Sequence, residues 1–311
     1  MDALRVAVTP PAFCKRESLR AELSQYFPNT IFNQKDRYLS MPELVDFLGD
    51  ADAAVIGRDL INAELIRSLP ELRMISKYGV GMDNIDKDAL SRANIEIRMT
   101  TGTNRRSVAE LTLGFMIGLF HNMSSGSEKL KKGDWQRDGG QELSEKTIGI
   151  IGCGNVGQEL ARLLKPFQCK VKIHDIADRS EFCRKYGAVK MGFDDLIAEA
   201  DIVTLHVPLT EDTENLINKL VLEKMKSSAF LVNTSRGRVV DQEDLHRALL
   251  SGEIAGAGLD VFYEEPPIDT KFLQLSNLMV TPHIGGNTDE AVEAMGKAAI
   301  QNLVEYFNLN E

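Results

Sequence analysis

The eighteen residues Thr147–Leu164 read TIGIIGCGNVGQELARLL: an apolar strand, a glycine turn, then an amphipathic helix. A G-x-G-x-x-G turn in that setting strongly constrains the fold, because it belongs to a strand–turn–helix unit of a parallel sheet. Gly152 permits the tight turn, Gly154 lets a ligand approach the backbone, and Gly157 lets helix and strand pack closely. Asn155 and Val156 open the helix, whose uncapped N–H groups suit a pyrophosphate. The following strand candidate ends at Asp175, eighteen residues after Gly157. A carboxylate there accepts the hydroxyls of an adenosine ribose and repels a 2′-phosphate, so NAD is expected in preference to NADP. Arg179, four residues on, is expected to soften that preference.

Strand-like and helical patterns alternate through most of the chain. LRVAV (4–8), AAVIG (53–57) and LRMIS (72–76) are short apolar runs, separated by helical spacing in MPELVDFLGD and NAELIRSLPE. A second series follows: TIGIIG (147–152), KVKIHD (170–175), DIVTLHV (201–207), AFLVN (229–233), AGAGLDV (255–261) and NLMVT (277–281). Such alternation predicts an α/β protein with parallel sheets covered by helices. Six strands suit a complete Rossmann dinucleotide-binding sheet. Two domains are expected: residues 100–285 as the dinucleotide-binding domain, and residues 1–99 with 286–311, including the helical pattern near the C-terminus, as a flavodoxin-like substrate-binding domain. The active site is expected in the cleft between them.

The net charge of −10, from 36 basic and 46 acidic residues, argues against nucleic acid or an anionic membrane as the main partner. The four cysteines show neither a disulfide framework nor metal-ligand spacing, so no metal is expected and a reducing, cytoplasmic location fits. The N-terminus lacks the pattern of a signal peptide. The most apolar run, LTLGFMIGLF (111–120), is too short to span a bilayer and reads as a buried helix.

Three later strand candidates end in polar residues: FLVNTSRGRVVD, GAGLDVFYEEPP and LMVTPHIGG. Ligands of open parallel sheets bind beyond the carboxyl ends of the strands, so Arg236, Glu264 or Glu265, and His283 are candidates for one site. Histidine exchanges protons near neutral pH and serves both directions of an alcohol–ketone conversion. A neighbouring carboxylate orients the ring, and an arginine clamps a carboxylate or polarises a carbonyl oxygen. Together they form a set suited to dehydrogenating a 2-hydroxy acid.

The stretches KYGVGMDNID, GTNRRSVAELTLGFM, GDWQRDGGQELSEKTIGIIGCGNVG, VNTSRGRVVD, LDVFYEEPP and TPHIGG closely resemble the D-isomer-specific 2-hydroxyacid dehydrogenases over nearly the whole chain. The resemblance implies that Arg236 binds substrate, that Glu265 rather than Glu264 partners the histidine, and that His283 is the acid/base. It further implies that Asp260 binds the nicotinamide carboxamide and that Val108 packs near the nicotinamide. His206, Val207 and Pro208 are expected near the adenosine, with Thr234 and Gly285 also lining the cofactor. Gly79, Val80 and Gly81 resemble a backbone nest for the substrate carboxylate. A homodimer through the Rossmann domains is implied, with the Val108–Phe120 helix as its core.

Within the family, the first two stretches are most similar to phosphoglycerate dehydrogenases, which makes 3-phosphoglycerate the favoured substrate and serine biosynthesis the setting. Lys77, Arg58, Arg105 and Arg106 are candidate cations for its phosphate, Lys77 standing just before the nest. No C-terminal regulatory domain follows the last helical pattern, so feedback through one is not expected. Glyoxylate or hydroxypyruvate reduction is the alternative within the family. An NAD-sensing, corepressor-like binding protein is the alternative outside enzymes.

Overall fold

A computed structural model describes residues 4–309. The chain forms two compact units: residues up to Asn104 together with those from Gly286 onward, and Arg105–Gly285.

In the first unit, β1 (Arg5–Val8), β2 (Asn29–Phe32), β3 (Ala53–Ile56), β4 (Met74–Lys77) and β5 (Glu96–Met99) form one parallel sheet in the order β2-β1-β3-β4-β5. This is the flavodoxin-like order, with its switch point between β1 and β3. Helices cover both faces, so the inner strands are apolar on both sides. Val6, Val8, Ala53, Val55 and Met74 face one core, while Ala7, Ala54, Ile56 and Ile75 face the other.

The Asp289–Tyr306 helix belongs to this unit because its apolar stripe has a partner here. Val292, Met295, Ala299, Ile300 and Leu303 pack with Leu19 and Leu23. The buried Ser76 hydroxyl donates to the Ala299 carbonyl at 2.8 Å. The helix starts at Thr288, whose hydroxyl caps the Ala291 N–H.

The second unit contains β6 (Thr147–Ile151), β7 (Lys170–His174), β8 (Val189–Lys190), β9 (Ile202–Leu205), β10 (Phe230–Asn233), β11 (Gly256–Leu259) and β12 (Leu278–Val280). All pairings are parallel, in the order β12-β11-β10-β9-β6-β7-β8. The strand order reverses at β6, which lies between β7 and β9, as in a Rossmann sheet. Here too the strands are sandwiched. Ile148, Ile150, Ile202 and Val232 face the core built with Leu160 and Leu164, while Ile151, Val203, Leu205 and Leu231 face the opposite one.

The expected α/β architecture with two parallel sheets is therefore present, with three strands beyond those expected. β2 and β5 are sheet edges, and β5 alternates charged Glu96 and Arg98 with Ile97 and Met99. β8 is a two-residue exposed edge. The run expected at 72–76 is shifted: β4 starts at Met74 and extends to Lys77, whose ammonium is buried.

The Arg105–Phe120 helix packs largely within its own unit. Val108, Ala109, Phe115, Met116, Leu119 and Phe120 are buried within the chain itself. Phe115 packs so closely on β11 that a Cβ at Gly258 would stand 2.9 Å from its ring. One apolar face of the helix is thus used inside the unit, Leu111, Leu113 and Ile117 are only partly buried, and Arg106, Glu110 and Gly114 are exposed.

Because Leu303 is fully buried between the C-terminal helix and the first sheet, Leu303→Ala is expected to lower unfolding free energy by about 2–5 kcal/mol. Urea denaturation checks this; a change within experimental error would mean that the helix does not anchor the unit.

Candidate active site

β6 ends at Ile151 and the chain turns through Gly152 at φ +90°. A Cβ on Gly152 would stand 2.5 Å from the His206 carbonyl oxygen, and one on Gly157 would stand 2.3 Å from the Gly152 carbonyl oxygen. Neither position accepts a side chain without moving backbone. Gly154 differs: a Cβ there would meet nothing within 4 Å. Gly154 is also the N-cap of the Asn155–Leu164 helix and makes no side-chain cap bond. The loop is therefore tight where it packs on protein and bare where a ligand would approach, which fits a dinucleotide pyrophosphate.

Asp175 follows β7. Its Oδ2 accepts from the Cys153 N–H at 2.7 Å and from Arg179 Nε at 3.1 Å, while Oδ1 accepts from the Ala177 N–H at 2.7 Å. Burial alone would raise this carboxyl, but the Ala177, Cys153 and Arg179 bonds outweigh it and hold the group below its ordinary value. Asp175 is thus a fixed anion beside the glycine turn, and Arg179 is paired with it. Cys153 is fully buried, and burial pushes its thiol up to about 12, so it is a filler rather than a reactive group.

Beyond β9, His206 and Val207 lie directly over the glycine turn, and exposed Pro208 follows them. The backbone of His206 and Cγ1 of Val207 are what a Cβ at Gly152 would strike. The His206 ring bonds Thr204 through Nε2 and Oγ1 at 3.0 Å. His206 is half-buried as a residue, yet burial of its ring pushes its pKa down to about 3.

The other polar candidates leave neighbouring parallel strands. Asn233 ends β10, and its Oδ1 accepts from the Ser235 N–H and hydroxyl while its Nδ2 donates to the Arg236 carbonyl. This fixes the turn that carries Arg236, whose Nη1 donates to the Ser235 carbonyl at 2.7 Å. A Cβ on Gly237 would lie 1.8 Å from the Phe262 carbonyl oxygen, so the Arg236 turn abuts the segment after β11.

That segment carries Glu265. Its Oε2 lies 2.6 Å from His283 Nδ1, and both side chains are about a quarter exposed. Of the adjacent glutamates, Glu265 is the one that reaches the histidine. Its Oε1 accepts from the Phe262 N–H at 3.2 Å. His283 stands three residues beyond β12 at φ +54°.

Two expected cofactor residues have partners within the protein. Asp260 is 1% exposed and accepts three bonds from the segment around His283. Thr234 is buried, with its hydroxyl 2.9 Å from that of Thr112. Val108 is buried beside Gly285: a Cβ there would stand 3.6 Å from Val108 Cγ2.

In the first unit, the turn after β4 contains Gly79 at φ +96°, followed by half-buried Val80 and Gly81. Lys77 is 5% exposed and its ammonium donates to the Gly57 carbonyl. Arg58 stacks over the Tyr38 ring at 5.1 Å. Arg106 bonds Glu110 at 2.5 Å and Glu159 at 3.0 Å, and Arg105 lies 3.9 Å from Glu159. Four cations proposed for a phosphate are therefore all engaged with protein groups.

The anchoring by Asp260, Thr281, Ser107 and Asn233 was not foreseen from sequence. The only signal is that each adjoins a strand end or helix start beside a candidate residue. Among the described residues, no group of three or more His, Cys, Asp or Glu side chains could hold a metal ion, and no helix is long and apolar enough to cross a membrane.

Residues 113–285 match the family model for the D-isomer specific 2-hydroxyacid dehydrogenase NAD binding domain. The chain is similar to a hydroxypyruvate reductase of Thermotoga maritima, 36% identical over 273 residues that cover 86% of this chain and 88% of that one. It is also 36% identical over 269 residues to a D-3-phosphoglycerate dehydrogenase of Methanocaldococcus jannaschii, covering 85% of this chain and 51% of that protein. A crystal structure of D-lactate dehydrogenase from Aquifex aeolicus, complexed with NAD and lactic acid, aligns with TM-score 0.84 at 26% identity, covering 98% of this chain and 95% of that one.

The His206 environment predicts a pH effect on stability. Its pKa is about 3 when folded, against 6.5 as the ordinary value. Between those values the unfolded chain binds the additional proton, so stability falls as pH is lowered through that window. The slope is at most about 1.4 kcal/mol per pH unit. In urea melts at pH 7 and pH 5, the native chain should lose up to about 2 kcal/mol more than His206→Gln. Equal losses would mean that the ring is solvated.

Proposed function

The chain belongs to the D-isomer-specific 2-hydroxyacid dehydrogenases, NAD-dependent enzymes that act on CH–OH donors, and from that premise we propose that His283, Glu265 and Arg236 perform its chemistry. The observation that carries this reading is the 2.6 Å contact between His283 Nδ1 and Glu265 Oε2. With Nδ1 held by the carboxylate, the proton moves at Nε2: His283 takes the substrate hydroxyl proton in oxidation and returns it in reduction. Glu265 fixes the ring orientation and stabilises the imidazolium that oxidation produces. Arg236 clamps the carboxylate or carbonyl oxygen of the acid. NAD, when bound, supplies the hydride acceptor or, reduced, the donor.

The Arg105–Gly285 unit is assigned to the cofactor, through Gly152, Gly154, Asn155, Val156, Gly157 and Asp175. The other unit is assigned to substrate, with Gly79, Val80 and Gly81 receiving the carboxylate; Gly79 at φ +96° supports an anion-binding turn. A homodimer through the cofactor unit, with the Val108–Phe120 helix at its core, belongs to this reading; the partly buried Leu111, Leu113 and Ile117 of that helix and the exposed Leu130 and Trp135 of the same unit support it. A cytoplasmic location is consistent with the four free cysteines.

For the substrate, the sequence stretches favour 3-phosphoglycerate and its 2-oxo product, within serine biosynthesis, with Arg58 and Lys77 nearest the nest in sequence. A second reading, hydroxypyruvate or glyoxylate, is favoured by the engagement of the candidate cations: Lys77 is buried against Gly57, Arg106 bonds Glu159 and Arg105 lies 3.9 Å from it. Initial rates with 3-phosphoglycerate, 3-phosphohydroxypyruvate, hydroxypyruvate and glyoxylate decide between them. Turnover confined to the unphosphorylated acids would establish the second reading. No turnover with any hydroxy or oxo acid would favour an NAD-sensing protein.

His283→Ala should leave NAD affinity nearly unchanged and reduce kcat by about 10²-fold or more; an unimpaired kcat would remove histidine from the mechanism. Asp175→Ala should weaken NAD binding and raise the ratio of NADP to NAD efficiency. An unchanged ratio would show that Asp175 does not meet the ribose.

A further inference from the structure

The imidazole of His283 is presented by backbone in an uncommon state. At φ +54° it lies in the left-handed region that favours glycine, so surrounding bonds must hold it there. Those bonds converge on one side chain. Asp260 Oδ1 accepts from the Thr281 hydroxyl at 2.5 Å and the Ile284 N–H at 2.8 Å, and Oδ2 accepts from the Gly285 N–H at 2.8 Å. The donors flank His283 on both sides.

Asp260 is itself fastened. Its N–H donates to the Asn233 carbonyl at 3.0 Å, and the Thr281 N–H donates to the Leu259 carbonyl at 3.0 Å. On the far side, the buried Ser107 hydroxyl donates to the Gly285 carbonyl at 2.5 Å.

We infer that Asp260 is a positioning residue for His283: its buried carboxylate pins Thr281, Ile284 and Gly285, and so holds the imidazole where Glu265 meets it. This rests on the reading of His283 as acid/base. It goes beyond a contact with the nicotinamide carboxamide, because a carboxylate offers about four acceptor directions and three are used inside the protein. Asparagine cannot replace it: its amide nitrogen would face a backbone N–H or a hydroxyl already donating to that site, leaving a buried donor unmatched.

The test separates the two roles by changing the cofactor. Asp260→Asn, Thr281→Val and Thr281→Ser are assayed with NAD and with 3-acetylpyridine adenine dinucleotide, whose acetyl group has no N–H to give a carboxylate. Each variant is compared with the native enzyme on the same cofactor, and its melting temperature is recorded. Positioning predicts that Asp260→Asn loses about 10²-fold in kcat with both cofactors. Thr281→Val should lose about tenfold in kcat with cofactor KM unchanged, and Thr281→Ser should regain most of it.

A penalty that disappears with the acetylpyridine analogue, or that falls on cofactor KM alone, overturns the inference while leaving His283 as acid/base. Full kcat in Thr281→Val overturns it even if Asp260→Asn fails to fold. An unimpaired kcat in His283→Ala overturns the underlying reading, and this inference with it.

Discussion

The bond between His283 Nδ1 and Glu265 Oε2 joins segments that leave adjacent parallel strands, β12 and β11. Parallel strands end at the same sheet edge, so residues eighteen apart in sequence reach one another without a long loop. The arrangement still needs His283 to leave the sheet at a positive φ, and Asp260 is the acceptor around which that departure is organised. The same edge logic holds at β6 and β9. There the glycine turn meets the His206 backbone so closely that Gly152 has no room for a side chain.

The arrangements around the carboxyl groups of Asp175 and Asp260 differ in kind. Asp175 is wrapped by backbone N–H groups and Arg179, so it stays charged despite burial. Asp260 is more deeply enclosed, and its oxygens accept from the protein's own backbone and a hydroxyl. One is a fixed anion beside the glycine turn; the other is an acceptor for its own surrounding loop. Residue type alone does not distinguish them.

The inner strands were legible because both sheet faces are covered, which makes β1, β3, β6, β9 and β10 nearly continuous apolar runs. The edges β2, β5 and β8 were not, because a half-solvated short strand has no such run and β5 carries two charges. The glycine turn was legible because steric rules tie its residues to its shape. Lys77 shows the opposite: sequence records a charge but not the Gly57 carbonyl that holds it. The network around Asp260 escaped for a related reason, since Ser107 and Thr281 meet that loop only through tertiary packing.

The account depends on the ring of His283 being held at Nδ1 by Glu265 in solution. With only five histidines, 15N-histidine labelling resolves the ring N–H resonances individually. The account predicts one strongly downfield Nδ1 proton, assigned to His283 by its loss in His283→Gln and also lost in Glu265→Gln. A His283 ring proton that is absent in the native protein, or that persists unchanged in Glu265→Gln, would contradict it.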